Sequence, residues 1–186
     1  MTNPNLTKSQ LRKQMKRMIG SLTELEKEQE SKQIAEKIST YVNKSPQIKT
    51  IASYACTPSE ISLDTLHSTL TELSEIRFCY PRCRPEGKMD FYTVRDLSTM
   101  VTSEYGIREP DETIHEQVNP KDIDLFLCPA YAYTKTGERL GKGGGFYDRY
   151  LLKKRADATT LGVAFACQII PHVPTDIHDL LIDHII

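Results

Sequence analysis

Apolar residues near the start of the chain recur at the spacing of one helix face. Four of them follow Thr7: Leu11, Met15, Met18 and Ile19. The last three stand four, seven and eight positions after Leu11. This pattern predicts a helix that Thr7 caps and Gly20 ends.

A second helix is predicted directly afterwards. Thr23 and Glu26 form a T-x-x-E capping box, and Ile34, Ala35 and Ile38 give the charged segment that follows a narrow apolar stripe. The stretch from about residue 7 to 45 is therefore expected to be helical and to pack on the rest of the chain.

From Lys49 onward, short apolar runs alternate with segments of helical spacing. Strands are predicted over residues 51–56, 76–80 (ended by Pro81), 89–94, 123–128 and 160–166. One helix is predicted on Leu63, Leu66, Leu70 and Leu73 and another over residues 147–155, whereas the polar stretch 96–122 suggests a loop with short helical turns. This alternation predicts an α/β fold, a single-domain sandwich over residues 1–186 whose mainly parallel β-sheet is flanked by helices.

Composition narrows the classes of function. The 24 basic and 25 acidic side chains leave a net charge of -1, so no nucleic-acid partner is expected. The apolar runs are well below the roughly 20 residues that span a bilayer, and the basic start of the chain lacks the apolar region of a secretory signal. Five cysteines, mostly among apolar residues, suit reduced thiols. A cytoplasmic location without membrane contact is expected.

The segment most suggestive of chemistry covers residues 137–150, where four glycines fall within five positions: Gly141, Gly143, Gly144 and Gly145. Such a loop exposes backbone N–H groups and lets the backbone approach a ligand closely, and a helix is predicted to follow it, which favours phosphate. The spacing fits neither a Walker A loop nor the dinucleotide fingerprint. Spacing alone leaves an anion-binding loop and a structural turn as alternatives.

The string RLGKGGGFYDR at residues 139–149 closely resembles the signature R-L-G-[RK]-G-x-G-[YF]-Y-D of the 5-formyltetrahydrofolate cyclo-ligase family. The likeness extends over nearly the whole chain. It includes the basic pair Lys8 and Arg12, Glu60, the blocks 80–82, 89–91, 106–110 and 162–165, Gln168, and His178-Asp179 with Asp183. Residues 129–134 depart from the family pattern, because Thr134 stands where an acidic residue is common.

The resemblance implies an ATP-dependent cyclisation of 5-formyltetrahydrofolate to 5,10-methenyltetrahydrofolate. The formyl oxygen attacks the γ-phosphate of ATP, N10 then closes the ring, and ADP and phosphate are released. The implied partners are ATP, 5-formyltetrahydrofolate and Mg²⁺, in a monomer or weak homodimer. Phosphoryl transfer requires positioning and charge neutralisation more than covalent chemistry, and the sequence has no G-x-S-x-G nucleophile motif.

The resemblance also implies roles for individual residues. Catalytic roles fall to Arg139, Lys142 and Tyr147. ATP-binding roles fall to two segments: Lys8, Ser9, Gln10, Leu11 and Arg12, then Arg139, Leu140, Gly141, Lys142, Gly143, Gly144, Gly145, Phe146 and Tyr147. Folate-binding roles fall to Ala55, Glu60, Lys142, Gly143, Gly144, Gly145 and Phe146. Magnesium-binding roles fall to Asp148 and Asp179.

Without the resemblance, these residue types have ordinary structural explanations. Lys8 and Arg12 would form a solvated basic face, Tyr147 would belong to the core, and Asp148 would favour a helix start. Two other functions also stay open on the residues alone. They are a different ATP-dependent phosphotransferase and a non-catalytic nucleotide- or RNA-binding module.

Overall fold

The computed structural model describes residues 6–73, 75–103 and 106–186. Helix α1 covers Lys8–Gly20 and helix α2 covers Glu24–Asn43. Each begins with a reciprocal capping box, formed by Thr7 with Gln10 in α1 and by Thr23 with Glu26 in α2. Both predicted helix starts are confirmed, because each box satisfies N–H groups that have no partner within the helix.

Eleven strands and two further helices follow among the described residues. In chain order they are β1 Thr50–Ala52, α3 Asp64–Leu73, β2 Arg77–Cys83, β3 Met89–Thr93, β4 Val101–Thr102, β5 Arg108–Glu109, β6 Gln117–Val118, β7 Leu125–Pro129, β8 Ala132–Tyr133, β9 Arg139–Leu140, α4 Phe146–Leu151, β10 Thr159–Val163 and β11 His184–Ile185. Short 3-10 turns lie at Pro85–Gly87, Leu97–Thr99, Pro120–Asp122 and Ala166–Gln168.

Seven of these strands form one sheet in the order β11-β10-β7-β1-β2-β3-β6. The strands from β11 to β2 run parallel, and β3 and β6 extend the sheet antiparallel. The predicted α/β fold with a mainly parallel sheet is confirmed. Two small hairpins, β4 with β5 and β8 with β9, lie outside this sheet.

The central strand β7 explains how the core is divided. Leu125 and Leu127 pack into a cluster on the sheet face that also receives Ile34 and Ile38 of α2. Phe126 and Cys128 pack into a cluster on the opposite face, with side chains of α4. A strand buried on both faces is apolar throughout, as this run of the sequence is.

Strand β2 differs from the prediction because it continues past Pro81 to Cys83. On the β1 side of the strand, Cys79 O accepts from Ser53 N at 2.8 Å, and on the β3 side Phe78 O accepts from Val94 N at 3.0 Å. Backbone polar groups of every second residue in a strand face the same neighbouring strand. Pro81, two residues after Cys79, therefore directs its nitrogen towards β1, which has already ended at Ala52. Proline therefore removes no donor from the ladder to β3.

Several other predicted boundaries are wrong. The helix predicted over 147–155 is α4, which ends at Leu151, and the strand predicted over 160–166 ends at Val163. The stretch 96–122 contains the expected short turns but also β4, β5 and β6. Within the described part of the chain, no helix combines the length and apolar character needed to cross a bilayer.

Candidate functional site

A cavity of about 510 Å³ opens at the carboxyl ends of β1, β2 and β7. Ala55, Cys83 and Pro129 line it just beyond or at the ends of these strands. The rest of its wall includes residues of helix α1, the loop between β9 and α4, and the side chains Asp176 and Asp179. Open α/β sheets bind ligands at this edge, because the strand-end loops converge there.

The loop between β9 and α4 takes up left-handed backbone at two glycines, Gly143 with φ 108° and Gly145 with φ 63°. Gly144, which lies between them, does not have a left-handed backbone. Gly144 has a different reason to lack a side chain, since a Cβ there would lie 2.6 Å from the ring of Phe146. Gly143, Gly144 and Gly145 therefore form a turn that a side chain at any of the three positions would disturb, and all three line the cavity.

Arg139 lies beneath this loop, and only 4% of its side chain is exposed. Its Nη2 donates to Asp148 Oδ1 at 2.7 Å, and its guanidinium lies 5.5 Å from the centre of the Tyr147 ring. Burial lowers the pKa of Arg139, but neighbouring groups that include Asp148 outweigh it and leave that pKa raised. Arg139 is therefore a permanent buried cation, not an exposed loop charge.

Two buried polar atoms at this point have no hydrogen-bond partner among the described residues: Arg139 Nε and the hydroxyl of Tyr147. Burial raises the pKa of Tyr147 well above its usual value, so the hydroxyl keeps its proton. Both residues line the cavity. Unpaired buried donors cost free energy, so an acceptor that reached them would be stabilised at this point.

Lys142 joins the glycine loop to the turn after β1. Its Nζ lies 2.8 Å from Glu60 Oε1 and 3.4 Å from Thr57 Oγ1. Thr57 donates to Glu60 Oε2 through both its backbone N and its hydroxyl, each at 2.8 Å. The carboxylate of Glu60 is thus held in one orientation, with 7% of the side chain exposed, while Lys142 is 43% exposed.

Helix α1 contacts the glycine loop and the segment 176–179 through two of its basic residues. Arg12 Nε donates to Gly141 O at 2.8 Å. Lys8 Nζ pairs with Asp176 Oδ2 at 2.7 Å and also with Asp179. Burial opposes the charges of Lys8 and Asp179, but the ion pairs prevail, so the pKa of Lys8 is raised and the pKa of Asp179 is lowered.

All the predicted site residues line this one cavity except Ser9, Gln10 and Leu11. Ser9 is exposed, Gln10 closes the cap of α1, and Leu11 is buried in a core cluster with Met15. Helical geometry explains the separation, since Lys8 and Arg12 share a face that the three residues between them do not. The predicted ATP-binding segment therefore presents its two ends to the cavity.

Other lining residues were assigned no role from the sequence. Tyr54, Met89, Arg108 and Glu109 line the cavity, as does Asp176. Met89, Arg108 and Glu109 stand in blocks that resemble the family, and this likeness could have identified them as site residues. Asp176 had none, because only its pairing with Lys8 in the folded chain identifies it.

The predicted metal ligands Asp148 and Asp179 both line the cavity, and each already carries an ion pair. Among the described residues, no three His, Cys, Asp or Glu side chains are grouped so that they would hold a metal ion. One or two carboxylates suffice for Mg²⁺ only when phosphate and water complete the shell. The residues therefore fit a metal that arrives with nucleotide phosphates better than a resident one.

Cys83 is the cysteine that lines the cavity, and it is half-buried. Burial and the neighbouring Glu109 raise the pKa of its thiol to about 11. The thiolate is the nucleophilic form of cysteine, so covalent catalysis by Cys83 at neutral pH is disfavoured.

The sequence profile of the 5-formyltetrahydrofolate cyclo-ligase family matches residues 4–186 of the chain. The chain belongs to this family. The cyclo-ligase from Haemophilus influenzae is 28% identical to it over 176 residues, which cover 93% of each chain. The cyclo-ligase from Mus musculus is 25% identical over 192 residues, covering 98% of this chain and 94% of the mouse protein.

Solved structures of methenyltetrahydrofolate synthetases share the fold. The synthetase from Mycoplasma pneumoniae superposes with a TM-score of 0.81 at 27% identity, covering 97% of this cyclo-ligase family member and 98% of the Mycoplasma chain. The synthetase from Aquifex aeolicus gives a TM-score of 0.82 at 27% identity, with 97% and 89% covered. The resemblance in sequence therefore extends to the whole three-dimensional arrangement.

Proposed function

We propose that this chain closes 5-formyltetrahydrofolate to 5,10-methenyltetrahydrofolate at the expense of ATP. The observation that carries the proposal is the ion pair between Lys142 and Glu60 at 2.8 Å. It joins the glycine loop, expected to hold phosphate, to the carboxylate expected to contact folate. One cavity can therefore bring the γ-phosphate and the formyl group together, as an in-line transfer requires.

The proposed reaction has two steps. The formyl oxygen forms a bond to the γ-phosphorus, the bond from that phosphorus to the β,γ-bridging oxygen breaks, and ADP leaves. N10 then attacks the formyl carbon and loses its proton, and the former formyl oxygen departs with phosphate. The products are 5,10-methenyltetrahydrofolate, ADP and phosphate.

The basic residues have distinct tasks in this proposal. Arg139 is a fixed buried cation beneath the glycine loop, where its charge would stabilise the phosphate. Lys142 is more exposed and lies between the phosphate and folate regions. Its ammonium group would therefore stay near the negative charge while the phosphoryl group is transferred to the formyl oxygen. Arg12 holds the loop through Gly141 O and keeps its remaining donors for phosphate.

On the folate side, Glu60 would accept hydrogen bonds from the N–H groups of the pterin. Its carboxylate is oriented by Thr57 before any ligand arrives, which lowers the entropic cost of binding. Ala55 and Phe146 line the same cavity and would contact the ring system.

Mg²⁺ would be held by Asp148 and Asp179 together with phosphate oxygens, and it would offset part of the phosphate charge. Lys8 would then take a phosphate oxygen in partial exchange for Asp179, with Asp176 keeping it at the cavity edge. A cytoplasmic location and a monomer or weak homodimer belong to the same proposal.

The test is a spectrophotometric assay for 5,10-methenyltetrahydrofolate, with ATP consumption measured with and without 5-formyltetrahydrofolate. Methenyl formation stoichiometric with ADP supports the proposal. ATP turnover that ignores folate indicates a different phosphotransferase, and absence of turnover indicates a non-catalytic nucleotide-binding protein.

A Glu60→Gln variant checks the folate side of the site. The amide can replace only part of the carboxylate's accepting capacity, so we expect the folate KM to rise about tenfold, with the ATP KM changed less than about twofold. An unchanged folate KM would remove Glu60 from the folate site.

A further inference from the structure

Arg149 connects the glycine loop to a distant turn, although it lies one residue beyond the family signature and does not line the cavity. Its Nη2 donates to Gly144 O and, at 2.8 Å, to Gly87 O. Its Nε also donates to Gly87 O, at 3.1 Å. Gly87 ends the short turn between β2 and β3, so one guanidinium joins two segments that are far apart in sequence.

The contact with Gly144 O fixes the direction of a peptide group. In a trans peptide the C=O and the following N–H point in opposite directions. Arg149, which does not line the cavity, holds Gly144 O, so the N–H of Gly145 is expected to face the opposite side, where both glycines line the cavity. An N–H in this orientation is a donor for a phosphate oxygen.

Two glycines leave the space that the guanidinium occupies. A Cβ on Gly87 would lie 2.2 Å from Arg149 Nη2, and a Cβ on Gly145 would lie 2.7 Å from Nη1. Both glycines have positive φ, at 70° and 63°. The arginine is therefore enclosed by the two turns that it joins, and it also lies 5.7 Å from the centre of the Phe146 ring.

We propose that Arg149 is a positioning residue that sets the glycine loop for phosphate binding by holding Gly144 O. The proposal rests on the ATP-dependent function proposed above and adds a residue that contacts no substrate. Its consequence is that changes at Gly87, outside the cavity, reach the phosphate site through Arg149.

Gly87→Ala tests this directly, because the added methyl displaces the guanidinium end of a flexible side chain. Gly106→Ala is the matched control, since Gly106 has φ 71° and no atom of the described residues lies within 4 Å of an added Cβ. Both variants carry the same backbone strain. We expect Gly87→Ala and Arg149→Gln to raise the ATP KM about tenfold, the scale of one lost hydrogen bond to a charged group, while Gly106→Ala does not.

Three further readouts distinguish positioning from general damage. The folate KM should stay within about twofold of wild type, Arg149→Lys should recover part of the ATP KM, and the double variant Gly87→Ala/Arg149→Gln should be no worse than Arg149→Gln alone. If Gly87→Ala and Gly106→Ala have equal ATP kinetics, or if the two defects add, the proposal is overturned. Failure of the wild type to form methenyltetrahydrofolate would instead count against the proposed function.

Discussion

At the scale of single residues, Arg139 beneath the glycine loop and Lys142 within it differ in how far the fold depends on them. Arg139 is buried, and within the described part of the chain Asp148, its partner, otherwise accepts only from Leu180 N at 3.4 Å. Lys142 is nearly half exposed, and its partner Glu60 keeps two hydrogen bonds from Thr57. The same truncation should therefore have different effects at the two positions.

We expect Lys142→Ala to lower the free energy of unfolding by about 1 kcal/mol, because Glu60 keeps both hydrogen bonds from Thr57 when Lys142 is lost. We expect Arg139→Ala to lower it by about 3 kcal/mol, because that change removes a buried guanidinium and leaves Asp148 with a weak donor in its place. Both should reduce the rate of cyclisation at least about tenfold. Denaturant unfolding and the methenyl assay measure the two effects, with Lys135→Ala, an exposed lysine away from the cavity, as control. Equal stability losses would contradict this account.

The two glycines at the centre of the loop can be separated by a double-mutant cycle. Gly143→Ala strains the backbone at φ 108°, whereas Gly144→Ala pushes against the Phe146 ring. In a Phe146→Ala background, Gly144→Ala should add little further loss of ATP kcat/KM, while Gly143→Ala should still add its full loss, of order 1–3 kcal/mol. If Phe146→Ala reduces the loss of ATP kcat/KM equally for both variants, the two glycines are required for the same reason.

At the scale of elements, α1 carries Lys8 and Arg12 into the site from its first turns. The cap formed by Thr7 holds the end of the helix that carries them. Helix α2 begins with the same capping box at Thr23, but none of its residues lines the cavity. The chain thus contains two equivalent caps, of which one serves the site.

Thr7→Ala and Thr23→Ala should each cost about 1 kcal/mol, equivalent to a lowering of Tm by about 2–4 °C for a chain of this size. Only Thr7→Ala should raise the ATP KM, because only its helix positions phosphate-binding cations. Thermal unfolding and ATP kinetics on the two variants provide the comparison. A rise in ATP KM with Thr23→Ala of the same size would mean that α1 has no special role.

The elements also show where sequence patterns suffice. The starts of α1 and α2 were predictable because capping is a local interaction between residues three apart. The extent of β2 was not, because Pro81 is tolerated only where β1 ends, which is a property of the assembled sheet. The two-residue strands β8 and β9 were missed, since a hairpin that short carries no measurable periodicity.

The site residues also differ in whether the sequence alone could predict them. The glycine loop, Lys142 and Glu60 were predictable from the sequence because they stand in segments that resemble a family. The burial of Arg139, the pairing of Lys8 with Asp176, and the contacts of Arg149 depend on segments far apart in the chain. Such contacts leave no trace in the spacing of one segment.

At the scale of the whole molecule, the candidate site and a cluster of stabilising contacts around Asp124 lie at opposite edges of the sheet. The cavity lies at the carboxyl ends of the parallel strands, whereas Asp124 joins several segments at their amino ends. Its Oδ2 accepts from Lys49 N and Thr50 N, both at 2.7 Å, and its Oδ1 pairs with Arg155. Only 10% of the Asp124 side chain is exposed. Changing this residue should alter stability without reaching the site.

Asp124 also predicts how stability depends on pH. Burial raises the pKa of Asp124, but the backbone donors and Arg155 outweigh it and leave that pKa below its ordinary value. The unfolded chain therefore binds more protons at acid pH, so this contribution is fully present above the unfolded pKa, about 3.9, and is lost as pH falls through the lower folded pKa.

We expect Asp124→Asn to be less stable than wild type at neutral pH, because an amide loses the ion pair and offers one accepting oxygen. The difference in free energy of unfolding should be constant from about pH 7 to 5 and shrink below about pH 4. Denaturant unfolding at several pH values measures it, and kcat at neutral pH should match wild type. Asp157→Asn, which removes the exposed second partner of Arg155, is the control. A stability difference that stays the same down to about pH 3 would show that the Asp124 charge is not what joins these segments.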